Sequence, residues 1–149
     1  MKNYRIPSLL CDFYKVSHAA QYPQGTEYVY STLTPRNTKY FLGGRIHHPR
    51  IVSFGFQSFV KNYLIDFFNE HFFARNENEV VAEYEDLLRV ALGAAPDSNH
   101  IRALHRIGYL PLEIRAVPEG KTVAVSVPVL TIVNTKHEFF WLTNYFETL

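Results

Sequence analysis

The chain has 149 residues, of which 47% are hydrophobic and 19% are charged, a balance typical of a globular domain rather than a disordered segment. Its formal net charge is +1 and it has no basic run, so nothing indicates a nucleic-acid-binding surface. The single cysteine, Cys11, excludes an internal disulfide, and no apolar run is long enough to predict a membrane-spanning helix. Because the first residues also lack the apolar core of a signal peptide, we expect a cytoplasmic protein.

The first predicted element is a short helix over residues 14–21. Asp12 precedes it as a candidate N-cap, and Pro23 with Gly25 predicts its end. The same stretch brings an acid, an aromatic ring, a base and an imidazole together within seven residues. We therefore treat it as the first candidate for a functional site.

Asp12, Tyr14 and Lys15 allow two interpretations. In the first, Asp12 caps the helix, Tyr14 packs and Lys15 is hydrated at the surface. In the second, the flat ring of Tyr14 stacks on a planar ligand while Asp12 and Lys15 position polar groups around it. Composition alone favours the first interpretation.

A strand is predicted over residues 27–34, which are rich in Tyr, Val and Thr, and a polar loop over 35–50. Arg36 lies where the loop begins. A guanidinium there can clamp a phosphate through two parallel hydrogen bonds, or it is an ordinary surface arginine. The adjacent His47 and His48 are expected to be hydrated rather than metal-bound.

Helical spacing of apolar residues predicts two longer helices. The first covers about residues 51–68, with Ser53 as a candidate cap, and the second covers about 78–92. Asn76 is the candidate N-cap of the second helix, and Gly93 is the candidate residue that ends it.

The spacing of apolar residues then changes to every second position. Residues 112–117, 122–127 and 129–134 therefore predict a small antiparallel meander. Pro128 favours an edge strand or a bend. From Thr135 a capping box predicts a final helix that is apolar over most of its circumference, which is typical of a buried helix. Because the sequence stops at Leu149 without a helix-ending residue, we expect the chain to be cut inside this element. Any face of it left exposed is expected to make the chain associate with itself.

Searches for catalytic and metal-binding motifs find none: the sequence has no GxGxxG, GxxxxGK[ST], HExxH or GxSxG. His100 and His105 are five residues apart and fall on different helix faces, so they make a poor metal pair. Cys11 beside two leucines is interpreted as a small buried hydrophobe. No catalytic residue and no metal ligand is assigned to this chain.

Five stretches, taken in order, resemble the nicotinamide phosphoribosyltransferase family. They are Leu9-Leu10-Cys11-Asp12-Phe13-Tyr14-Lys15-Val16-Ser17-His18 with Gln21-Tyr22-Pro23; Val29-Tyr30-Ser31 with Arg36; Phe54-Gly55-Phe56-Gln57; and the segments 108–120 and 141–149. Phe13 departs from the pattern, since the family commonly has a small polar residue there.

The resemblance implies an α+β fold, with a small mixed or antiparallel sheet and flanking helices, for a single domain over residues 1–149. This would be the N-terminal domain of a type II phosphoribosyltransferase, without the barrel that completes the enzyme. The family joins nicotinamide to 5-phosphoribosyl 1-diphosphate with Mg²⁺, giving nicotinamide mononucleotide and pyrophosphate for NAD salvage. The chain alone is expected to be inactive.

Substrate-binding roles follow from the resemblance for three residues. The tyrosine matching Tyr14 stacks on nicotinamide, the acid matching Asp12 lies in the same site, and the arginine matching Arg36 approaches the phosphates. In the family these residues complete the site of the partner subunit in a homodimer. Two alternatives remain open: a nicotinate phosphoribosyltransferase relative, and a non-catalytic pyridine-binding domain that pairs with a separate barrel chain.

Overall fold

The computed structural model describes residues 6–37, 49–94 and 97–147, and it confirms the predicted α+β class. The strands are β1 (Tyr30–Leu33), β2 (Arg50–Val52), β3 (Leu112–Ala116), β4 (Thr122–Ala124) and β5 (Leu130–Asn134). The α-helices are α1 (Phe56–Phe59), α2 (Glu77–Leu92), α3 (Asn99–Ile107) and α4 (Leu142–Phe146). Wider π-helical turns, Val60–Phe67 and Asn69–Phe73, continue α1, and tighter 3₁₀ helices cover Pro7–Leu9, Phe13–Gln21 and His137–Phe139.

The strands form two antiparallel sheets rather than the predicted meander. In one sheet β5 lies between β1 and β3, so that Ile132 faces Ser31 on one side and Ile114 on the other. In the other sheet β4 pairs with β2. The meander prediction is wrong because the chain after β3 turns toward Ser53, whose carbonyl accepts a hydrogen bond from the Gly120 amide at 2.8 Å.

The predicted helix over residues 51–68 is only partly correct. Its first residues form β2, and Ser53 extends that pairing through its amide, which donates to the Lys121 carbonyl at 2.8 Å. The buried Ser53 hydroxyl donates to the Val117 carbonyl at 2.7 Å and does not cap a helix. The helix begins only after Gly55, whose φ of 90° is favourable for glycine and sets the turn between strand and helix.

Pro128 lies outside the strands, in the turn before β5. The flanking Val129 continues the backbone pairing, since its amide donates to the Leu33 carbonyl and its carbonyl accepts from the Val117 amide, both at 2.9 Å. Of the two predicted settings for the proline, the bend is confirmed and the edge strand is wrong, because β5 is the central strand of its sheet. The proline precedes the ladder, so no hydrogen bond of the central strand is lost.

The second predicted helix is confirmed with its ends. The Asn76 side chain accepts a hydrogen bond from the Asn78 amide at 2.9 Å, and Gly93 ends the helix with φ 78°. One face of α2 is fully buried against α3 and the helical segment that follows α1. The core it enters contains these buried residues: Leu64, Phe68, Phe72, Val80, Val81, Tyr84, Leu88, Ile101 and Leu104.

The final helical segment is buried, as its apolar circumference predicts, and it lies within the same core. Phe139, Trp141, Leu142, Tyr145 and Phe146 each expose 2% of their surface or less. An exposed apolar face is therefore not what these residues form, whereas self-association of the chain stays a prediction. The capping-box prediction is also wrong, because Lys136 flanks the first turn and makes no side-chain cap.

His47 and His48, with most of the predicted loop, lie outside the described residues. In the part of the chain that the structure describes, no helix is long and apolar enough to cross a membrane.

Candidate functional site

The Phe13–Gln21 helix divides its side chains between solvent and core. Asp12, Phe13 and Tyr14 are exposed, whereas Lys15 and Val16 are buried. Asp12 stands at the N-cap position with φ −58° and ψ 130°, but its side chain makes no cap hydrogen bond. The capping prediction is therefore wrong for the carboxylate, which faces outward beside Tyr14.

Tyr14 presents an exposed ring, with 61% of its surface accessible, so the prediction that it packs internally is wrong. The ring is held from one side by His18, whose centroid lies 5.3 Å away at an interplanar angle of 59°. Desolvation, followed by the nearby Asp12 carboxylate, raises the pKa of the Tyr14 phenol above its ordinary value. The phenol is therefore neutral at physiological pH, which leaves a flat ring available for stacking.

Lys15 is the residue that the sequence interpretation missed. It is 1% exposed, and its Nζ donates to the Asn144 carbonyl at 2.5 Å and to Glu147 Oε1 at 3.1 Å. The expectation of a hydrated lysine is wrong because its acceptors are 129 and 132 residues away. No local pattern in the sequence indicates such partners.

Asn144 connects this lysine to strand β1. Its side-chain Oδ1 accepts a hydrogen bond from the Ser31 hydroxyl at 2.5 Å, while its backbone carbonyl accepts from Lys15. The Lys15 ammonium thus satisfies a carbonyl at the C-terminal end of α4, where a cation is favourable. Three segments distant in sequence meet at this residue.

Arg36 lines a cavity of about 740 Å³. Apolar and polar side chains both line it, among them Ser31, Thr32, Thr34, Phe56, Leu130, Ile132, Phe146 and Glu147. A lining that combines an arginine and several hydroxyl-bearing residues with apolar side chains fits an anionic ligand with an apolar portion.

The backbone on both sides of Arg36 is held by Ser126, in the turn between β4 and β5. The Ser126 amide donates to the Pro35 carbonyl at 2.7 Å, and its hydroxyl donates to the Arg36 carbonyl at 3.4 Å. Ser126 adopts φ 66°, and among the described residues it alone has a positive φ without being glycine. The turn therefore fixes where the Arg36 side chain leaves the backbone.

Only one of the three predicted site residues lines the cavity. Arg36 does, whereas Asp12 and Tyr14 do not. The two groups are nevertheless connected, because Lys15 follows Tyr14 directly and binds Glu147, which lines the cavity. Within one chain Asp12 and Tyr14 therefore lie outside the cavity and face solvent.

The other candidate residues have structural roles in the described parts of the chain. His105 Nε2 contacts the Arg75 carbonyl at 2.9 Å, and His100 packs edge-on against Trp141 at 4.8 Å between ring centroids. Cys11 is half-buried, and this burial raises the pKa of its thiol, as expected for a small apolar residue. No three His, Cys, Asp or Glu side chains group closely enough to hold a metal ion in the described ranges.

Comparison with known proteins assigns this domain to a class and then to a family. The chain is an α+β domain of the phosphoribosyltransferases: a family model described as the N-terminal domain of nicotinamide phosphoribosyltransferase matches residues 8–88. The chain belongs to that family. The match includes the 9–18 stretch and Arg36, so the family resemblance of these residues is confirmed.

Curated relatives named nicotinamide phosphoribosyltransferase agree with this assignment. The chain is 50% identical to that of Acinetobacter baylyi over 93% of its own length and 28% of the relative's length. It is 30% identical to that of Xanthomonas campestris over 93% of this chain and 26% of the relative, and 29% identical to that of Mycoplasma genitalium over 95% and 33%. The chain therefore spans about a quarter to a third of each of these relatives.

Proposed function

We propose that this chain is the N-terminal portion of a nicotinamide phosphoribosyltransferase, an enzyme that a barrel domain would complete. The full-length enzyme would join nicotinamide to 5-phosphoribosyl 1-diphosphate and release pyrophosphate. What supports this most directly is the family match, which covers an outward-facing Asp12 and Tyr14 together with an Arg36 that lines a cavity.

The chemistry assigns a separate task to each of these residues. The pyridine nitrogen forms a bond to the anomeric carbon while the bond from that carbon to the pyrophosphate oxygen breaks. Stacking on the Tyr14 ring would hold the pyridine plane in line for attack, which lowers the entropic part of the barrier. Arg36 would stabilise negative charge on the phosphate groups through its paired N–H donors.

Mg²⁺ would enter as the partner of the diphosphate substrate rather than as a resident ion of this chain. Its role would be to neutralise charge that develops on the leaving pyrophosphate. The residues that catalyse the reaction and recognise the amide would come from the remainder of the enzyme.

The exposed Tyr14 ring also supports a homodimer with a shared active site. Tyr14 is aromatic, yet 61% of its surface is exposed to solvent. Such an exposed ring is suited to complete a site on another subunit. In this proposal each N-terminal domain contributes Asp12, Tyr14 and Arg36 to the partner's barrel, in the cytoplasm.

The proposal is tested by following formation of nicotinamide mononucleotide by the full-length enzyme, with nicotinamide and with nicotinate in separate reactions. Turnover with nicotinamide and little with nicotinate is expected. A preference for nicotinate would assign the enzyme to the acid-specific relatives, and turnover with neither would leave a non-catalytic domain. The 149-residue chain alone should form no product, and turnover by it would contradict the claim that the active site needs a barrel.

A further inference from the structure

The buried ammonium of Lys15 connects the two halves of the proposed site. On one side, Lys15 is the residue next to Tyr14, and its Nζ lies 5.9 Å from the centroid of the Tyr14 ring. On the other side, the same Nζ binds Glu147, which lines the same cavity as Arg36. The lysine thus lies between the exposed aromatic ring and the cavity that Arg36 lines.

Because Lys15 is buried, its contacts with Asn144 and Glu147 restrict the position of the Phe13–Gln21 helix. Lys15 is 1% exposed, whereas Glu147 keeps 38% of its side chain exposed. A buried ammonium without acceptors is costly, so the Phe13–Gln21 helix is held where both the Asn144 carbonyl and Glu147 remain within reach. A hydrated lysine such as Lys61, which is 68% exposed and pairs with Asp66, imposes no such restriction.

Hydrogen bonds extend this restriction to the strand that leads to Arg36. Ser31 in β1 donates to the Asn144 side chain at 2.5 Å. Asn144 of α4 therefore binds both the Lys15 ammonium and strand β1. After β1 the chain runs through Thr34 and Pro35 to Arg36. A displacement of Lys15 would therefore change the position of Tyr14 relative to Arg36.

We propose that Lys15 is a positioning residue: its anchored ammonium fixes the Asp12–Tyr14 segment relative to the cavity that Arg36 lines. The role in catalysis rests on the proposed function, whereas the anchoring itself does not. Nothing in this role requires Lys15 to touch either substrate.

The anchoring is tested in the 149-residue chain by hydrogen exchange. Lys15→Met retains most of the side-chain volume but leaves the Asn144 carbonyl and Glu147 without their charged donor, so some loss in the free energy of unfolding is expected, because removing one partner of a buried pair is destabilising. Exchange of the amides of residues 13–16 should rise on the order of tenfold, the equivalent of one hydrogen bond to a charged group, while α2 stays protected. Lys61→Met is the matched control and should change neither. Unchanged exchange at residues 13–16 would overturn the proposal.

The consequence for function is tested in the full-length enzyme with the same variants. Lys15→Met should raise the KM for nicotinamide about tenfold or more, because a misplacement of about 1 Å is sufficient for such losses. Lys15→Arg, which restores a cation, should recover part of this loss, and Lys61→Met should match the wild type. Measurements are made at a temperature where circular dichroism shows every variant fully folded, so that a lower folded fraction cannot account for the effect.

The outcomes separate the two proposals. An unchanged KM in Lys15→Met, while Tyr14→Ala is impaired, would overturn positioning by Lys15 and leave the function intact. A wild-type enzyme that forms no nicotinamide mononucleotide would overturn the function, and the hydrogen-exchange result would still decide whether Lys15 anchors the segment.

Discussion

The hydroxyl of Tyr145 donates a hydrogen bond to the carbonyl of Ser8 at 2.6 Å, and both residues are buried. The contact connects α4 to the turn that precedes the Asp12–Tyr14 segment, across 137 residues of sequence. Burial raises the pKa of the Tyr145 phenol far above its ordinary value, so the hydroxyl is protonated and donates at physiological pH. The start of the site and the final helix are thereby held together.

Tyr145→Phe should destabilise the chain by about 1–3 kcal/mol, because the Ser8 carbonyl is left buried without this donor. Urea denaturation followed by circular dichroism measures the change. Tyr63→Phe, at a residue that is 50% exposed, is the matched control and should change the free energy of unfolding very little. Equal effects of the two substitutions would show that the buried hydrogen bond contributes nothing.

Tyr14→Ala in the full-length enzyme should weaken nicotinamide binding by roughly 1–3 kcal/mol, the range typical of lost aromatic packing and stacking. Isothermal titration or the KM for nicotinamide measures it. Tyr109→Ala removes a ring that is 48% exposed and does not line the cavity, and should leave binding unchanged. Unaltered affinity in Tyr14→Ala would remove Tyr14 from the site.

Arg36→Lys should raise the KM for 5-phosphoribosyl 1-diphosphate on the order of tenfold. The ammonium keeps the charge but cannot form the two parallel hydrogen bonds of a guanidinium, and a hydrogen bond to a charged group contributes about 1.5–3 kcal/mol. Steady-state kinetics at saturating nicotinamide provides the measurement. Arg89→Lys, at an exposed arginine of α2 that pairs with Asp86, serves as control. A KM equal to that of the wild type would mean that Arg36 does not contact the phosphates.

Ser126→Val should destabilise the chain by roughly 1–2 kcal/mol, because a β-branched residue is strained at φ 66°. Ser126→Gly is the matched variant: glycine adopts this φ freely and gives up only the 3.4 Å contact to the Arg36 carbonyl. In thermal denaturation, Ser126→Gly should have a higher Tm than Ser126→Val. The reverse order would contradict the left-handed conformation of this turn.

The stability of the chain should fall as the pH decreases below 6.5. Burial lowers the pKa of His100 from its ordinary value of 6.5, with Asp97 acting in the opposite direction. Between the folded pKa and 6.5 the unfolded chain binds a proton that the folded chain does not, so the free energy of unfolding rises with pH across that window. His100→Phe should flatten this dependence in urea titrations at several pH values. The same slope in both proteins would show that His100 does not cause it.

Local rules predict the parts of the fold whose determinants lie within a few residues. Asn76 and Gly93 delimit α2 because a cap depends on the amides and carbonyls of the adjacent turn. Ser53 shows where such rules fail. Its hydroxyl suits a helix cap, but it donates instead to the Val117 carbonyl, 64 residues further along the chain.

The amino-acid sequence by itself determined the α+β class, the main helix with its ends, the burial of the apolar terminal segment and the family to which the chain belongs. Only the tertiary structure decided that β4 pairs with β2 rather than with β3 and β5. It also decided that Lys15 is buried while Tyr14 is exposed, and that Arg36 lines a cavity. The physical reason is the range of the interactions. Caps and periodicity act within one or two turns, whereas the acceptors that bury a lysine come from the other end of the chain.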